Sequence, residues 1–558
     1  MSFQKYRNFQ PIELPERQWP GKRLEQAPTW CSVDLRDGNQ ALIHPMHPAR
    51  KRRMFEYLVK MGFKEIEVGF PAASKDDFDF TRMVIEETLV PDDVSIQMLV
   101  QARAHLIDRT FEALQGAKRP IIHMYNSTST LQRRVVFGKS RSEIIELALD
   151  GVKRIRDKAD ENVRFQYSPE SFTGTELDFA LEICERVAEV WGPTEENPII
   201  LNLPGTVEMA TPNVYADQIE WFHRHMSLGK RAVISLHAHN DRGTAVAATE
   251  LGMMAGAGRV EGTLFGNGER TGNVDLVTVA MNLFSQGIDP ELDFSHIRDI
   301  VQLSEECTEI KVHPRHPYAG DLVFTAFSGS HQDAIRKGIM AMRKNKDEIW
   351  QVPYLPIDPA DVGRQYEPVV RINSQSGKGG IAFVLEEYSG LRLPRALQVE
   401  FSQKIQSVTD SDGEELTPEQ VTKAFMDTYV CHEGVYSLKE YTSGPVEEDA
   451  PDRLSKPSRV VASVADPDGN IREIEGTGNG PVSAFVVGFE KAFGMELKVL
   501  GYEQHALNEG RFAKAVSYVQ LTIDQGMPVY GVGEDANTST SALLGVVSAI
   551  NRAMARQK

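Results

Sequence analysis

The residues that carry chemistry fall in a few short clusters. One is Asp34-Leu35-Arg36-Asp37-Gly38-Asn39-Gln40, two acids and an arginine directly after an apolar run. Another is Ala232 to Asp241, AVISLHAHND, with His237 and His239 two residues apart. On a strand that spacing turns both imidazoles to the same side. Two imidazoles converging with a carboxylate suit a divalent cation. A third cluster, GNGERTGNVD (266–275), combines three glycines with Asn273 at an expected helix start. It reads either as a phosphate-binding turn or as a loop that turns the Asn273 carbonyl oxygen to the cation. Tyr167-Ser168-Pro169-Glu170-Ser171, His123, Asn202 and Thr206 also stand near the ends of apolar runs. Taken singly, Asp37 reads equally well as a helix cap with a surface ion pair, and one histidine as an ordinary core residue. The joint placement of Asp37, His123, Glu170, Thr206, His237, His239 and Asn273 favours a common site.

Such a site needs elements that bring distant residues to one centre. Apolar or β-branched runs recur at 29–35, 65–70, 95–100, 121–126, 163–167, 198–203, 232–239 and 260–265. Stretches with helical periodicity lie between them, at 49–62, 140–159, 176–191 and 211–226, the last opened by Thr211 as cap and Pro212 at its first position. The repeat averages about 33 residues, as expected for a strand and a helix. Eight such units predict a (β/α)8 TIM barrel, with an open doubly wound sheet as the alternative. The barrel is preferred because polar clusters follow strands from both halves of the repeat, and only closure brings those ends together. Hydrolase barrels with a His-x-His metal pair place it on the first strand; here it is on the seventh.

The chain of 558 residues has a formal net charge of −18, which argues against nucleic acid or an anionic membrane as partner. The four cysteines are scattered, with no CxxC pair, so neither a disulfide framework nor a zinc knuckle is expected, and a cytoplasmic setting is. The N-terminus lacks the apolar stretch of a signal peptide. Beyond about residue 320 the pattern changes. The expected divisions are 1–320 for the N-terminal extension and barrel, 321–430 for a helical linker subdomain with a Pro-rich (352–363) and a Gly-rich (373–380) segment, and 431–558 for a C-terminal α+β domain. A charged, proline-bearing stretch (444–459) precedes an internal ββ(β)α duplication in that domain. Gly476 and Gly531 are read there as matching positions. The duplicated unit has no acid–base set of its own and suits ligand sensing or dimerisation.

At these residues the chain resembles the α-isopropylmalate synthases, in the metal-dependent barrel family that also holds homocitrate and citramalate synthases and hydroxymethylglutaryl-CoA lyase. The resemblance runs through VDLRDGNQ (33–40), YNSTS (125–129), SPE (168–170), NLPGTVE (202–208), SLHAHNDRGTAVA (235–247), GNGERTGN (266–273), GSHQDA (329–334), PYLPIDPADVGR (353–364) and GNGP (478–481). It is closest to the longer branch of the synthases. Asn39 stands where most members have Glu, and Gly205 where Ala is usual. The resemblance implies condensation of acetyl-CoA with 3-methyl-2-oxobutanoate to 2-isopropylmalate, the committed step toward leucine. Asp37, His237, His239 and Asn273 would hold Mg2+, Mn2+ or Zn2+, with K+ as an activator. Arg36, Glu170, His331 and Tyr354 would be catalytic, the last two supplied to the partner of a homodimer with shared sites. Arg36, His123, Ser168, Glu170 and Thr206 would bind substrate. Gly478, Asn479 and Gly480 would belong to a leucine-binding regulatory region. Citramalate or homocitrate synthesis, carbon–carbon cleavage in the lyase sense, and a non-enzymatic metabolite sensor are the competing readings.

Overall fold

The computed structural model describes residues 3–5, 7, 9–326, 328–346, 348–366, 378–412, 416–431, 434–446, 457–507 and 513–557. The expected Gly-rich segment (373–380) lies mostly outside these, as does most of the charged stretch 444–459. Contacts divide the chain into two compact units, Met1–Phe324 with Ile357–Gln365, and Thr325–Pro356 with Tyr366–Lys558.

The first unit is a closed eight-stranded parallel barrel. Its strands are β1 (Thr29–Ser32), β2 (Glu65–Gly69), β3 (Ser95–Gln101), β4 (Ile121–Ser127), β5 (Arg164–Glu170), β6 (Ile199–Gly205), β7 (Ala232–Ala238) and β8 (Arg259–Gly262), in sequential order. The barrel closes where Thr29 to Ser32 pair in parallel with Arg259 to Gly262. Every strand sits inside a run expected from sequence or extends it by a few residues. β5 runs three residues past its expected end, while β1 and β8 stop three residues short of theirs. β1 stops at Ser32 because Asp34–Gly38 coils into a single π-helical turn, a distortion common at functional sites. β8 stops at Gly262, where a Cβ would lie 2.6 Å from the Val274 carbonyl oxygen; the returning loop occupies that space.

Helices follow the strands as their caps dictate. Ser140 and Glu143 form a reciprocal capping box on Arg141–Lys158, and Pro48 and Pro212 occupy first positions. Thr211 does not cap with its side chain as expected; its hydroxyl donates to Asn213 Oδ1 at 2.6 Å instead. The helix after the glycine loop starts at Leu276, three residues beyond Asn273, with Asp275 as its cap. An N-terminal segment straps the helix Pro212–His225, with Arg17 and Trp19 Nε1 bonded to Asp217 and the Trp19 N–H to Glu220. Ile357–Gln365 belongs to this unit, where Arg364 donates to the carbonyls of Gly320 (2.5 Å) and Asp321 (3.0 Å).

The inside of the barrel is polar. Glu65, Glu67, Gln97, Gln166, Arg259 and Glu261 are all buried. Arg259 Nε donates to Glu65 (2.6 Å) and Nη1 to Glu261 (2.7 Å) and Ser235 (2.8 Å). Such burial of charge is tolerated only because each group is paired and hydrogen-bonded.

The second unit holds the helices Gly329–Asn345, Lys378–Ser389, Arg395–Asp412 and Pro418–Tyr429, then a duplicated strand–helix repeat. The first copy is β9 (Ser437–Pro445), β10 (Ser458–Ala465), β11 (Ile471–Gly478) and the helix Pro481–Phe493. The second is β12 (Leu497–Ala506), β13 (Ala515–Ile523), β14 (Val529–Asp535) and the helix Thr538–Gln557. Each copy has three antiparallel strands. The register of the repeat differs from the sequence reading. A Cβ on Gly476 would meet the Ala484 carbonyl oxygen and Gly488 N, and one on Gly533 would meet the Ser541 carbonyl oxygen and Gly545 N. Gly476 therefore matches Gly533, not Gly531, because the repeat is set by where helix backbone presses on strand backbone.

The two copies differ on their outer faces. Val516, Tyr518, Tyr530 and Val532 share a core with Leu397, Phe401, Phe425 and Tyr429 of the preceding helices, while Val519, Leu521 and Val529 face the core within the repeat. The second sheet is thus buried on both sides. The first alternates buried and exposed along β10 and β11, with Glu473 and Glu475 outward.

Candidate active site at the barrel rim

The carboxyl ends of the strands surround a cavity of about 230 Å³ lined by Arg36, Asp37, His123, Tyr125, Ser168, Glu170, Asn202, Thr206, His237, His239 and Arg270, among others. Nine of the residues singled out from sequence are therefore on one wall system.

Asp37 is delivered by the π turn after β1, His237 by β7, and His239 by the next residue beyond that strand. Asp37 Oδ2 lies 3.2 Å from His237 Nε2 and 3.6 Å from His239 Nε2, and one donor atom from each of the three falls within 4.8 Å of the others. His239 pairs with Asn273 in an isolated bridge. The glycine loop makes this return: Gly268 and Gly272 have positive φ, and a Cβ on Gly272 would lie 1.9 Å from the Gly266 carbonyl oxygen. Asn273 Nδ2 donates to the Asn267 carbonyl at 3.0 Å, which turns its Oδ1 the other way. That Oδ1 and His239 Nδ1 are buried without a hydrogen-bond partner. An orphaned amide oxygen beside two imidazoles and a carboxylate fits a divalent cation.

The charges agree. Burial opposes ionisation of Asp37, yet Arg36, His237 and His239 hold its carboxyl far below the usual range. Burial, reinforced by His237, lowers His239 to about 4, keeping its imidazole neutral and able to ligate. His237 is the exception: burial works against its charged form, but Asp37 and Glu261 raise it to about 9, so its imidazole must release a proton before it can ligate.

The other side of the cavity is organised by Glu67. Its Oε2 accepts from Arg36 Nε at 2.6 Å and its Oε1 lies 2.8 Å from His123 Nδ1. A carboxylate only accepts, so His123 turns an N–H on Nδ1 to Glu67, and its Nε2 lies 2.7 Å from the Ser168 hydroxyl oxygen. Asn202 Nδ2 donates to the same Ser168 oxygen at 3.0 Å. Arg36 Nη1 is also 3.1 Å from Asp37 Oδ1. Glu170 accepts from the Ser127 hydroxyl, and Thr206 Oγ1 accepts from the Ser171 N–H at 2.9 Å, which joins the ends of β5 and β6. Asn39 Oδ1 accepts from the Met46 N–H at 2.6 Å and so closes the loop after β1. A Cβ on Gly205 would make only ordinary contacts, the nearest at 3.7 Å, so the backbone does not require glycine there.

His331 and Tyr354 lie in the second unit. Their rings stack, with centroids 4.0 Å apart and planes at 27°. Of the three residues expected at the regulatory loop, Asn479 and Gly480 line a second cavity of about 670 Å³ with Glu490, Lys498, Tyr502 and Thr538. Gly478 instead ends β11, where a Cβ would meet Ser483 Oγ at 2.5 Å.

Sequence reasoning missed Glu67, Gln97 and Glu261. Their signal was a polar residue recurring at every second position in otherwise apolar strands, as in EIEVG (65–69) and RVEG (259–262), where a barrel interior normally carries branched apolar side chains.

Family comparisons cover the chain in three blocks. The HMGL-like model matches residues 27–303, the "alpha-isopropylmalate synthase, post-catalytic domain-like" model 321–386, and the "LeuA allosteric (dimerisation) domain" model 415–554. The 2-isopropylmalate synthase of Rhodospirillum rubrum is 56% identical over 552 residues, covering 98% of each chain. That of Parafrankia sp. is 54% identical over 99% of this chain and 98% of its own, and that of Clostridium acetobutylicum 51% over 99% of both. Among solved structures, a hydroxymethylglutaryl-CoA lyase from Pseudomonas aeruginosa matches 52% of this chain and 95% of its own at 18% identity and a TM-score of 0.43, too distant to bear on the site. With more than half of its residues shared across nearly the full length of several such enzymes, the chain belongs to the 2-isopropylmalate synthase family.

Proposed function

We propose that the chain condenses acetyl-CoA with 3-methyl-2-oxobutanoate, hydrolyses the thioester, and releases 2-isopropylmalate and CoA. The observation that carries this reading is the single cavity in which Arg36 stands beside Asp37, His237 and His239. Asp37, His237, His239 and Asn273 would hold a divalent cation, which would supply Lewis-acid polarisation of an oxo acid. The Arg36 guanidinium, fixed by Glu67, meets the negative charge that develops on the keto oxygen. His123, Ser168 and Thr206 orient the oxo acid, and Tyr125 and Leu99 narrow the space for its side chain.

The methyl group of acetyl-CoA loses a proton to His331, which Tyr354 braces by stacking; family resemblance assigns this pair to the cavity of a second copy. The methyl carbon then bonds to the keto carbon, and the keto oxygen takes up a proton to become a hydroxyl. Glu170 holds and returns protons on the same rim. Water finally cleaves the C–S bond, leaving a carboxylate and the CoA thiol. The chain acts as a homodimer, and leucine is its feedback inhibitor, bound in the cavity of Asn479 and Gly480. The apolar share of that cavity (Val482, Val486, Val499) suits an aliphatic side chain.

Purified protein with Mn2+ and acetyl-CoA, given 3-methyl-2-oxobutanoate, pyruvate or 2-oxoglutarate in turn, tests the reading by thiol release. The branched acid is expected to be strongly preferred. A preference for pyruvate would assign a citramalate synthase instead. Val482→Trp, which fills the second cavity, is expected to remove leucine inhibition; retained inhibition would place the effector elsewhere.

A further inference from the structure

The two sides of the rim cavity are supported from below by two carboxylates, and both are used in the same divided way. Glu67 turns Oε2 to Arg36 and Oε1 inward; Glu261 turns Oε2 to His237 Nδ1 at 2.9 Å and Oε1 inward. Between the inward oxygens sits the amide of Gln97, on β3. Gln97 Nε2 lies 3.1 Å from Glu67 Oε1 and 3.1 Å from Glu261 Oε1, and 3.4 Å from His123 Nδ1. The orientation of that amide is forced. Gln97 Oε1 is 2.9 Å from Arg259 Nη2, and a guanidinium only donates, so the amide oxygen faces Arg259 and both N–H groups face the carboxylates. Glu67, Gln97 and Glu261 show no exposed surface. Two buried like charges repel, and a shared donor holds them apart at fixed positions.

We infer that Gln97 is a positioning residue that ties the cation-holding side of the cavity to the oxo-acid side. This rests on the function proposed above. With one end fixed by Arg259, the Gln97 amide sets the angle at which Glu261 grips His237 and Glu67 grips Arg36 and His123. Gln166 Nε2, at 2.7 Å from Glu261 Oε1, supports one carboxylate only; Gln97 alone among the described residues donates to both.

The test uses Gln97→Met, which keeps the volume and removes the donors, and Gln97→Asn, which keeps the amide one methylene short of its partners. Mn2+ affinity is measured by calorimetry without substrate, and KM for 3-methyl-2-oxobutanoate separately, on protein shown to be folded by circular dichroism. In either variant the Mn2+ Kd is expected to rise about 10- to 100-fold, the range for lost support of a metal-bound histidine, with KM rising alongside. A residue that only filled space would lower the melting temperature and leave both constants in place, so variants within twofold of the parent in Kd and KM overturn the role of Gln97. A parent that binds no Mn2+ overturns the functional reading as well, which separates the two failures.

Discussion

The barrel and the duplicated C-terminal repeat stabilise themselves by opposite means. The barrel spends its interior on charge: Arg259, Glu65, Glu67 and Glu261 are buried and satisfied by one another and by Gln97, Gln166 and Ser235. The repeat buries backbone against backbone, with Gly476 and Gly533 letting each helix lie directly on its sheet. The difference teaches where chemistry can reside. A fixed set of buried charges orients side chains at the rim above it; a close-packed glycine contact orients nothing polar and leaves the repeat with a partly apolar cavity.

The comparison breaks first at Arg259. Arg259→Met leaves Glu65 with Arg164 alone and Glu261 with only His237 as a charged partner, and is expected to cost the barrel about 3–5 kcal/mol in denaturant unfolding; a loss under about 1 kcal/mol would mean the carboxylates are not charged partners. Arg36→Ala, at the rim, is expected to lower kcat/KM about 10²- to 10³-fold, with the fold intact; steady-state kinetics decide it. In the repeat, Gly533→Val and its counterpart Gly476→Val each force a methyl group into helix backbone and are expected to cost about 3 kcal/mol. Gly444→Val, where a Cβ meets nothing within 4 Å, stays within about 0.5 kcal/mol. Unequal losses at Gly476 and Gly533 would undo the register of the duplication.

A subtler contrast is pH dependence. Burial raises Asp34 to about 7 from 3.8, against hydrogen bonds from Ser32 and the Leu264 N–H. Between those values the folded barrel keeps a proton that the unfolded chain has released. Its contribution is full below about 3.8 and is lost as pH rises through about 7. The stability of the parent relative to Asp34→Asn should therefore fall from pH 4 to pH 7; a flat difference would show that Asp34 ionises normally. Smallest of all is Glu475→Ala on the open face of the first sheet, where the Arg459 ion pair is half exposed, expected within about 0.5 kcal/mol.

Much of this was legible in the sequence. The eight strand runs announced the barrel, and the two-residue spacing of His237 and His239 announced a shared side because strand geometry is local. The support beneath them was not legible. Gln97 meets Glu261 across 164 residues, and nothing near either residue signals the other. Glu67 and Glu261 each look like a stray acid until closure brings β2, β3 and β8 to one axis. The repeat register was misread because Gly531 and Gly533 are both glycines; only the helix contact tells which one answers Gly476. Thr211 does stand at the cap position, but its hydroxyl donates to Asn213 rather than accepting a helix N–H.

The proposed cation site of Asp37, His237 and His239 at the barrel rim carries the whole mechanism. Titrating Mn2+ into the parent and His237→Ala, with bound ion read by electron paramagnetic resonance, tests it most directly. One tight site per chain is expected in the parent, and its loss in the variant. An unchanged tight site in His237→Ala would contradict it.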